Sequence, residues 1–474
     1  MPKPLQLHPA RLMPRDAKTR EIAMRLYCSV KDLPILSPHG HTDPSWFADN
    51  QSFGNATDLL IKPDHYVFRM LYSQGIRLES LGIPTSNKEV ELETDNRKIW
   101  HIFANNYHLF AGTPSRIWLD HVFSDVFGLD VVLCADTADL YYDHINAKLA
   151  TEEFLPRNLL DRFNIECIAT TESPLDDLHH HKKIIAEGYG KRVITAYRPD
   201  NVVDPEFEGF LSNLSRFGEL TGCDVSTWEG YLNAHRVRRK YFAAHGATST
   251  DHGHPTATTA NLSLADCDAL YDIVKQGNAS AEQADQFRGQ VLTEMAGMSI
   301  EDGLTMQLHP GSVRNHNQQV FERFGRDKGA DIPGRTKYVH ALKPLLDRYG
   351  NDARLKLILF TLDETVYSRE LAPLAGHYPS LYLGPSWWFH DSPEGMRRFR
   401  QQATETAGFY NTVGFNDDTR AFLSIPARHD VARRMDCGFL AELVADHRLD
   451  EEEATAIAAD LTYNLAKKAY QLPS

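Results

Sequence analysis

Leu33-Pro34-Ile35-Leu36-Ser37-Pro38-His39-Gly40-His41 is an apolar run that ends in two histidines one residue apart. A short apolar run rich in branched residues reads as a buried strand, and on a strand residues i and i+2 point to the same face. The imidazoles of His39 and His41 therefore converge beyond the strand's carboxyl end, where they can hold a divalent metal. Thr42-Asp43-Pro44 follows as a turn signal. With 22 histidines in the chain some close pairs arise by chance, so the weight of this pair lies in its position after a strand.

Seven more apolar runs follow, at 165–170, 193–197, 243–249, 304–308, 355–360, 381–384 and 412–415. Most are separated by amphipathic stretches with helical spacing, such as 263–275 and 396–407. Together with 33–37 they make eight strand–helix alternations, which predict an α/β protein built as a (β/α)8 TIM-like barrel. The spacing is uneven. About 125 residues separate the first two strands; they are rich in aromatics and histidines and have helical periodicity. A stretch that long cannot be structureless inside a compact domain, so it is read as a helical insertion over the barrel mouth. The chain then divides into 1–41 (N-terminal segment and first strand), 42–160 (insertion) and 161–474 (remaining barrel and C-terminal helices). Residues 85–91 read as at most a small surface linker.

Composition limits what such a fold can do. The chain has 474 residues, 42% hydrophobic and 24% charged, with a net charge of −14 and no Lys/Arg-rich run. That balance argues against nucleic acid or an anionic membrane surface as the main partner and implies that an anionic substrate would need local arginines. Cys28, Cys134, Cys167, Cys223, Cys267 and Cys437 are scattered without a CxxC, which disfavours a cysteine zinc site and a disulfide scaffold and fits a reducing cytoplasm. Residues 1–20 lack the apolar core of a signal peptide, and no stretch has membrane-spanning length. The protein is read as soluble and cytoplasmic; no pattern settles whether it is a homo-oligomer.

In a barrel the chemistry belongs at the carboxyl ends of the strands. There the sequence places Tyr197-Arg198-Pro199-Asp200, Ser249-Thr250-Asp251-His252-Gly253-His254, His309-Pro310-Gly311 with Arg314, and Asn416-Asp417-Asp418-Thr419-Arg420. His39, His41 and Asp418 form a two-nitrogen, one-oxygen set suited to zinc or a similar divalent ion, with His309 as a fourth ligand or a supporting contact. A two-metal hydrolase would want a lysine after strand four and a histidine after strand six; Asp251-His252 and Leu362-Asp363 stand there, so one metal is the better reading.

The ordered set Pro38-His39-Gly40-His41, Asp64-His65-Tyr66, Tyr197-Arg198-Pro199-Asp200, Thr250-Asp251-His252-Gly253, Gln307-Leu308-His309, Val313-Arg314-Asn315, Ser386-Trp387-Trp388-Phe389, 418–424 and 463–466 resembles the uronate (glucuronate) isomerases of the amidohydrolase superfamily. The segment Ile425-Pro426-Ala427-Arg428-His429 departs from the run familiar there, which bears on fine substrate preference. The resemblance implies an aldose–ketose interconversion, D-glucuronate with D-fructuronate and D-galacturonate with D-tagaturonate, in uronate catabolism. Such a reaction moves a proton between C2 and C1 of the open-chain sugar, and so needs a base, an oxyanion stabiliser and an anchor for the C6 carboxylate. Arg198 and Arg314 are the expected anchors, unless each is spent on an internal carboxylate; His309, Asp251 and Trp387 are the other expected substrate contacts. Asp418 or Tyr66 is the expected base, with Arg420 lowering the pKa of both, and His65 with the metal stabilising the enediolate; the plainer reading of Tyr66 is aromatic packing. The competing function is a metal-dependent hydrolase or deaminase in which the same metal set activates water.

Three attractive motifs have plainer readings. His179-His180-His181 cannot all meet one ion from a helix and reads as a solvated face. Trp387-Trp388-Phe389 either lines a sugar pocket or packs core. Glu451-Glu452-Glu453 reads as an acidic first helical turn.

Overall fold

A computed structural model describes residues 3–87 and 89–473. Met1 and Pro2 at the head of the N-terminal segment, Lys88 within the 85–91 linker, and Ser474 lie outside the described residues. The strands in chain order are β1 (Ile35–Ser37), β2 (Ile165–Glu172), β3 (Val193–Tyr197), β4 (Ser249–His252), β5 (Thr305–Leu308), β6 (Ser312–Val313), β7 (Ile332–Pro333), β8 (Leu357–Leu359) and β9 (Leu381–Leu383). Seven form one sheet in the order β1-β2-β3-β4-β5-β8-β9, parallel at every step. Strands β6 and β7 pair antiparallel as a separate ribbon, which the apolar pattern did not reveal.

Two expected strands shift. The run 243–249 begins inside a helix, Trp228–Ala244, because Phe-Ala-Ala continues its helical pattern. Gly246, at φ +93°, turns the chain, and β4 then carries Ser249, Thr250, Asp251 and His252. Asp251 thus lies within the strand, opposite Gln307 of β5, and is fully buried. The run 412–415 contributes a single parallel bridge, Leu383 to Thr412, because Gly414 at φ +77° leaves the extended conformation there. The sheet nevertheless curls back on itself: the His41 N–H donates to Thr419 O at 3.0 Å. The described architecture is a curled parallel sheet whose last step is not a full ladder.

Strand alternation divides the core. Leu36, Cys167, Ala169, Ile194, Ile358, Phe360 and Val413 pack into one cluster, closed by Ala466, Ala469, Tyr470 and Leu472 from the C-terminus. The Tyr470 hydroxyl donates to Gln307 Oε1 at 3.1 Å, which satisfies a polar side chain buried in the sheet. Alternate residues of β5, β8 and β9, including Met306, Leu308, Leu357, Leu359, Leu381 and Leu383, pack outward on helices.

Between β1 and β2 the chain folds as short helices, among them Pro44–Asp49, His65–Ser73, Asn96–Asn105, Pro114–His121 and Ala138–Leu149. Their starts are set by side-chain caps at Asp43, Asp64, Asp95 and Thr113, and they close around Trp100, Phe103, Tyr107, Phe123 and Tyr141. Thr85 and Ser86, at one end of the expected linker, dock on the Arg323 carbonyl. His179–Ala186 is helical, but its histidines do not share one exposed face. His181 is buried, with Nε2 2.9 Å from Thr170 Oγ1. Glu451–Glu453 opens the helix Glu451–Ala459, capped by Asp450. No helix of the described residues is long and apolar enough to cross a membrane.

Candidate active site

At the carboxyl ends of these strands lies a cavity of about 410 Å³, within the range that accommodates small metabolites. Its wall takes His39 and His41 from the end of β1, Arg198 and Asp200 from the end of β3, Gly253 after β4, His309 after β5, Arg314 and Asn315 after β6, Trp387 and Trp388 after β9, and Asp418 and Arg420. His65 and Tyr66 enter from the helix His65–Ser73, so one helix of the 42–160 stretch reaches the cavity.

His39, His309 and Asp418 converge, with one ligand atom from each lying within 4.8 Å of the others. His309 Nδ1 is 2.6 Å from Asp251 Oδ1. This carboxylate fixes the proton on Nδ1 and leaves Nε2 as a free lone pair. His309 Nε2 and Asp418 Oδ1 are buried without a hydrogen-bond partner, and His39 Nε2 lies 3.5 Å from that carboxylate oxygen, an arrangement costly for a closed polar core and natural for a cation site. Burial draws His39 down to about pKa 4 despite the nearby Asp251 and Asp418, so it is neutral and able to ligate at pH 7. The donor set fits one divalent ion. It contains His309, while His41, expected in it, reaches Asp418 Oδ1 at 3.2 Å but does not join the convergent triad.

Asp418 is held in an unusual conformation. Its φ is +37°, a region that costs a non-glycine residue free energy. The Trp387 indole N–H donates to Asp418 Oδ2, and His39 lies 3.5 Å from Oδ1. Burial pushes its carboxyl up, but His39, His41 and His309 outweigh that and hold it well below the usual carboxylate range. Arg420, expected to depress it, instead faces Asp327 at 3.5 Å. Asn315, Asp327 and Trp388 also line the cavity at positive φ. Strain of this kind persists only where the surroundings over-determine it, and it concentrates at functional sites.

The arginines are paired, but not spent. Arg198 donates from Nε to Asp200 (2.8 Å), with Nη1 3.0 Å from Asp251, and Arg314 Nη1 pairs with Asp331 at 3.1 Å. The remaining Nη2 atoms of both turn to the same place: a Cβ on Gly253 would lie 2.3 Å from that of Arg198 and 3.2 Å from that of Arg314. Asp251 is not part of the wall. It lies behind it, tying His309 to Arg198, and these two partners outweigh burial to keep it ionised.

Tyr66 departs from the expected electrostatics. Its neighbour is Arg428, whose guanidinium carbon lies 5.6 Å from the ring centre, and burial pushes the phenol up in spite of that charge. At pH 7 it is a protonated donor. Burial draws the stacked His65 down to about pKa 3, leaving a neutral ring whose Nε2 has no partner.

Sequence reasoning missed Asp327 and Asp331, because the stretch between β6 and β7 has no periodicity to read, and it quoted Asn315 only as part of a motif, without a role. It also missed Asp391 and the role of Arg428 behind the wall; two charged residues 37 positions apart give no local signal of pairing.

Set beside known proteins, the chain matches the family model described as glucuronate isomerase over residues 15–470. It is similar to the uronate isomerase of Xanthomonas axonopodis pv. citri (strain 306), with 68% identity over 468 residues and 99% of each chain covered. Among solved structures it resembles glucuronate isomerase from Caulobacter crescentus at a TM-score of 0.97 and 62% identity, covering 100% of this chain and 98% of that one. The uronate isomerase from Thermotoga maritima resembles it at a TM-score of 0.91 and 26% identity, with 98% and 99% covered.

Proposed function

The chain belongs to the glucuronate isomerase family and is a uronate isomerase interconverting glucuronate and fructuronate; we propose that it does so by proton transfer through an enediol in the cavity described above. The proposal extends to D-galacturonate and D-tagaturonate, which pose the same problem at C1 and C2. We read the curled sheet, with 412–415 as its eighth member, as a (β/α)8 barrel roofed by the helices of 42–160.

The observation that carries this reading is the pair of guanidinium ends meeting at Gly253 in the same cavity as Asp418, Tyr66 and His65. An open-chain uronate needs both an anionic anchor and a proton relay within the length of six carbons. The Nη2 groups of Arg198 and Arg314 bind the C6 carboxylate, and Trp387 covers the chain. Asp418, ionised, accepts the C2 proton and returns it to C1. Tyr66, protonated, donates to O1 as negative charge builds there and recovers the proton from O2, so that the enediol gives the ketose with no net gain or loss of protons. His65 donates from its unpartnered nitrogen to the enediolate oxygens. His39, His309 and Asp418, with His41 adjacent, would hold one divalent ion, zinc or similar, which when bound supplies Lewis-acid polarisation of a sugar oxygen.

The test is incubation with D-glucuronate in heavy water followed by proton NMR. Fructuronate carrying deuterium at C1 supports the enediol. Ketose without deuterium points to a hydride shift or a shielded proton, and no conversion of either uronate refutes the reading.

A further inference from the structure

Behind the cavity wall, Arg428 is fully buried in the first turn of the helix Ile425–Ala445 and touches groups that reach the cavity from two distant parts of the chain. Its Nη1 donates to Asp391 Oδ2 at 2.6 Å and to the Asp417 carbonyl at 3.3 Å, and its Nε donates to Ser424 Oγ at 3.1 Å. One guanidinium face lies 3.6 Å from the centre of the Trp118 ring, and the Tyr66 ring is also within cation–π reach. The next residue, His429, holds the Asp417 carboxylate through Nε2 at 3.1 Å. Arg428 and His429 together therefore grip Asp417 by its backbone and its side chain, immediately before Asp418 adopts its unfavourable φ.

We propose that Arg428 is a positioning residue for the isomerisation, fixing the Tyr66 phenol and the Asp418 carboxylate relative to each other. The two groups come from distant parts of the chain: Tyr66 sits near the start of a nine-residue helix between β1 and β2, and Asp418 follows the last sheet bridge. The guanidinium reaches both the Tyr66 ring and the carbonyl preceding Asp418. Its planar fork is needed because Asp391 and the Asp417 carbonyl are met by Nη1 and Ser424 by Nε, and the single nitrogen of an ammonium cannot occupy both places. Asp391, Asp64 and Asp417 share the balance of its charge, burial having raised the Asp391 carboxyl to about 7, so the fork holds geometry without leaving an uncompensated cation in the core.

This inference rests on the reading that Tyr66 and Asp418 flank the reacting carbons, so Tyr66→Phe is assayed alongside. Full-length enzyme carrying Arg428→Lys, or Arg428→Met with Asp391→Asn to leave no lone buried charge, is compared with wild type per folded molecule. Misplacement on the order of 1 Å costs about a hundredfold in rate, so the double variant is expected to lose about that in kcat with KM within about threefold. Arg428→Lys, which keeps charge but not the fork, is expected to stay at least about tenfold down. Wild-type kcat in Arg428→Lys overturns the proposal, as does a loss confined to KM or to melting temperature; should the double variant not fold, Arg428→Lys decides alone. If Tyr66→Phe itself keeps full kcat, the catalytic reading fails. If it falls while the Arg428 variants do not, only the positioning role fails.

Discussion

Replacing Gly253 by alanine adds one methyl at the point where the two anchoring guanidiniums meet. The new Cβ would stand 2.3 Å from Arg198 Nη2, 2.7 Å from Asp200 Oδ2 and 3.2 Å from Arg314 Nη2. Ordinary contact requires about 1 Å more for Arg198. The far end of a free arginine would swing away at little cost, but this one is tied to Asp200 and Asp251, and Asp251 in turn orients His309. The displacement therefore moves the anchor and loosens the histidine facing Asp418. A shift of that size costs about a hundredfold in kcat/KM, or about 2.7 kcal/mol of transition-state stabilisation. The accompanying overpacking lowers stability by about 1–3 kcal/mol. Gly253 is not at positive φ, so no backbone penalty confuses the result. Steady-state kinetics with D-glucuronate and a denaturant titration measure the two terms separately. A variant with kcat/KM within about threefold of wild type would refute the claim that the guanidiniums converge on a bound carboxylate.

Arg314→Lys keeps the charge and loses the fork, so KM rises by about tenfold or more while the unfolding midpoint stays put; an unchanged KM removes Arg314 from the substrate. Asp418→Asn replaces an anionic ligand with a neutral amide, and metal analysis of the purified protein is expected to show less divalent ion bound than in wild type; equal content would place the ion elsewhere. Burial raises Glu172 from its ordinary value of 4.5 to about 8, so the folded chain holds a proton that the unfolded chain releases across that window, and stability falls as pH rises through it. Glu172→Gln removes this penalty and is expected to gain on wild type by roughly 3–4 kcal/mol between pH 5 and 8; a pH-independent difference between the two unfolding curves would contradict it.

Much of this molecule is legible before any coordinates, and for local reasons. Strand and helix periodicity depend on neighbours within a few residues, so β1, β2, β3, β5, β8 and β9 fall within or overlap the predicted runs, and the helical character of the stretch after β1 follows its pattern. Where two local rules compete, the sequence misleads: Phe242-Ala243-Ala244 is apolar enough for a strand but completes a helix, and Gly414 cuts a predicted strand to one bridge. The residues at strand ends, His39, Arg198, His309 and Asp418, could be nominated from position alone, because a parallel sheet brings its carboxyl ends together whatever the details. Their partners could not. That His309 rather than His41 completes the triad, that Asp251 stands behind the wall, that Arg420 faces Asp327, and that Arg428 rather than Arg420 neighbours Tyr66 all depend on how the sheet curls and where the helices between β1 and β2 come down. A sequence specifies which charges exist and on which local face they sit; which of them meet, and how far each is desolvated, is decided by packing between segments hundreds of residues apart.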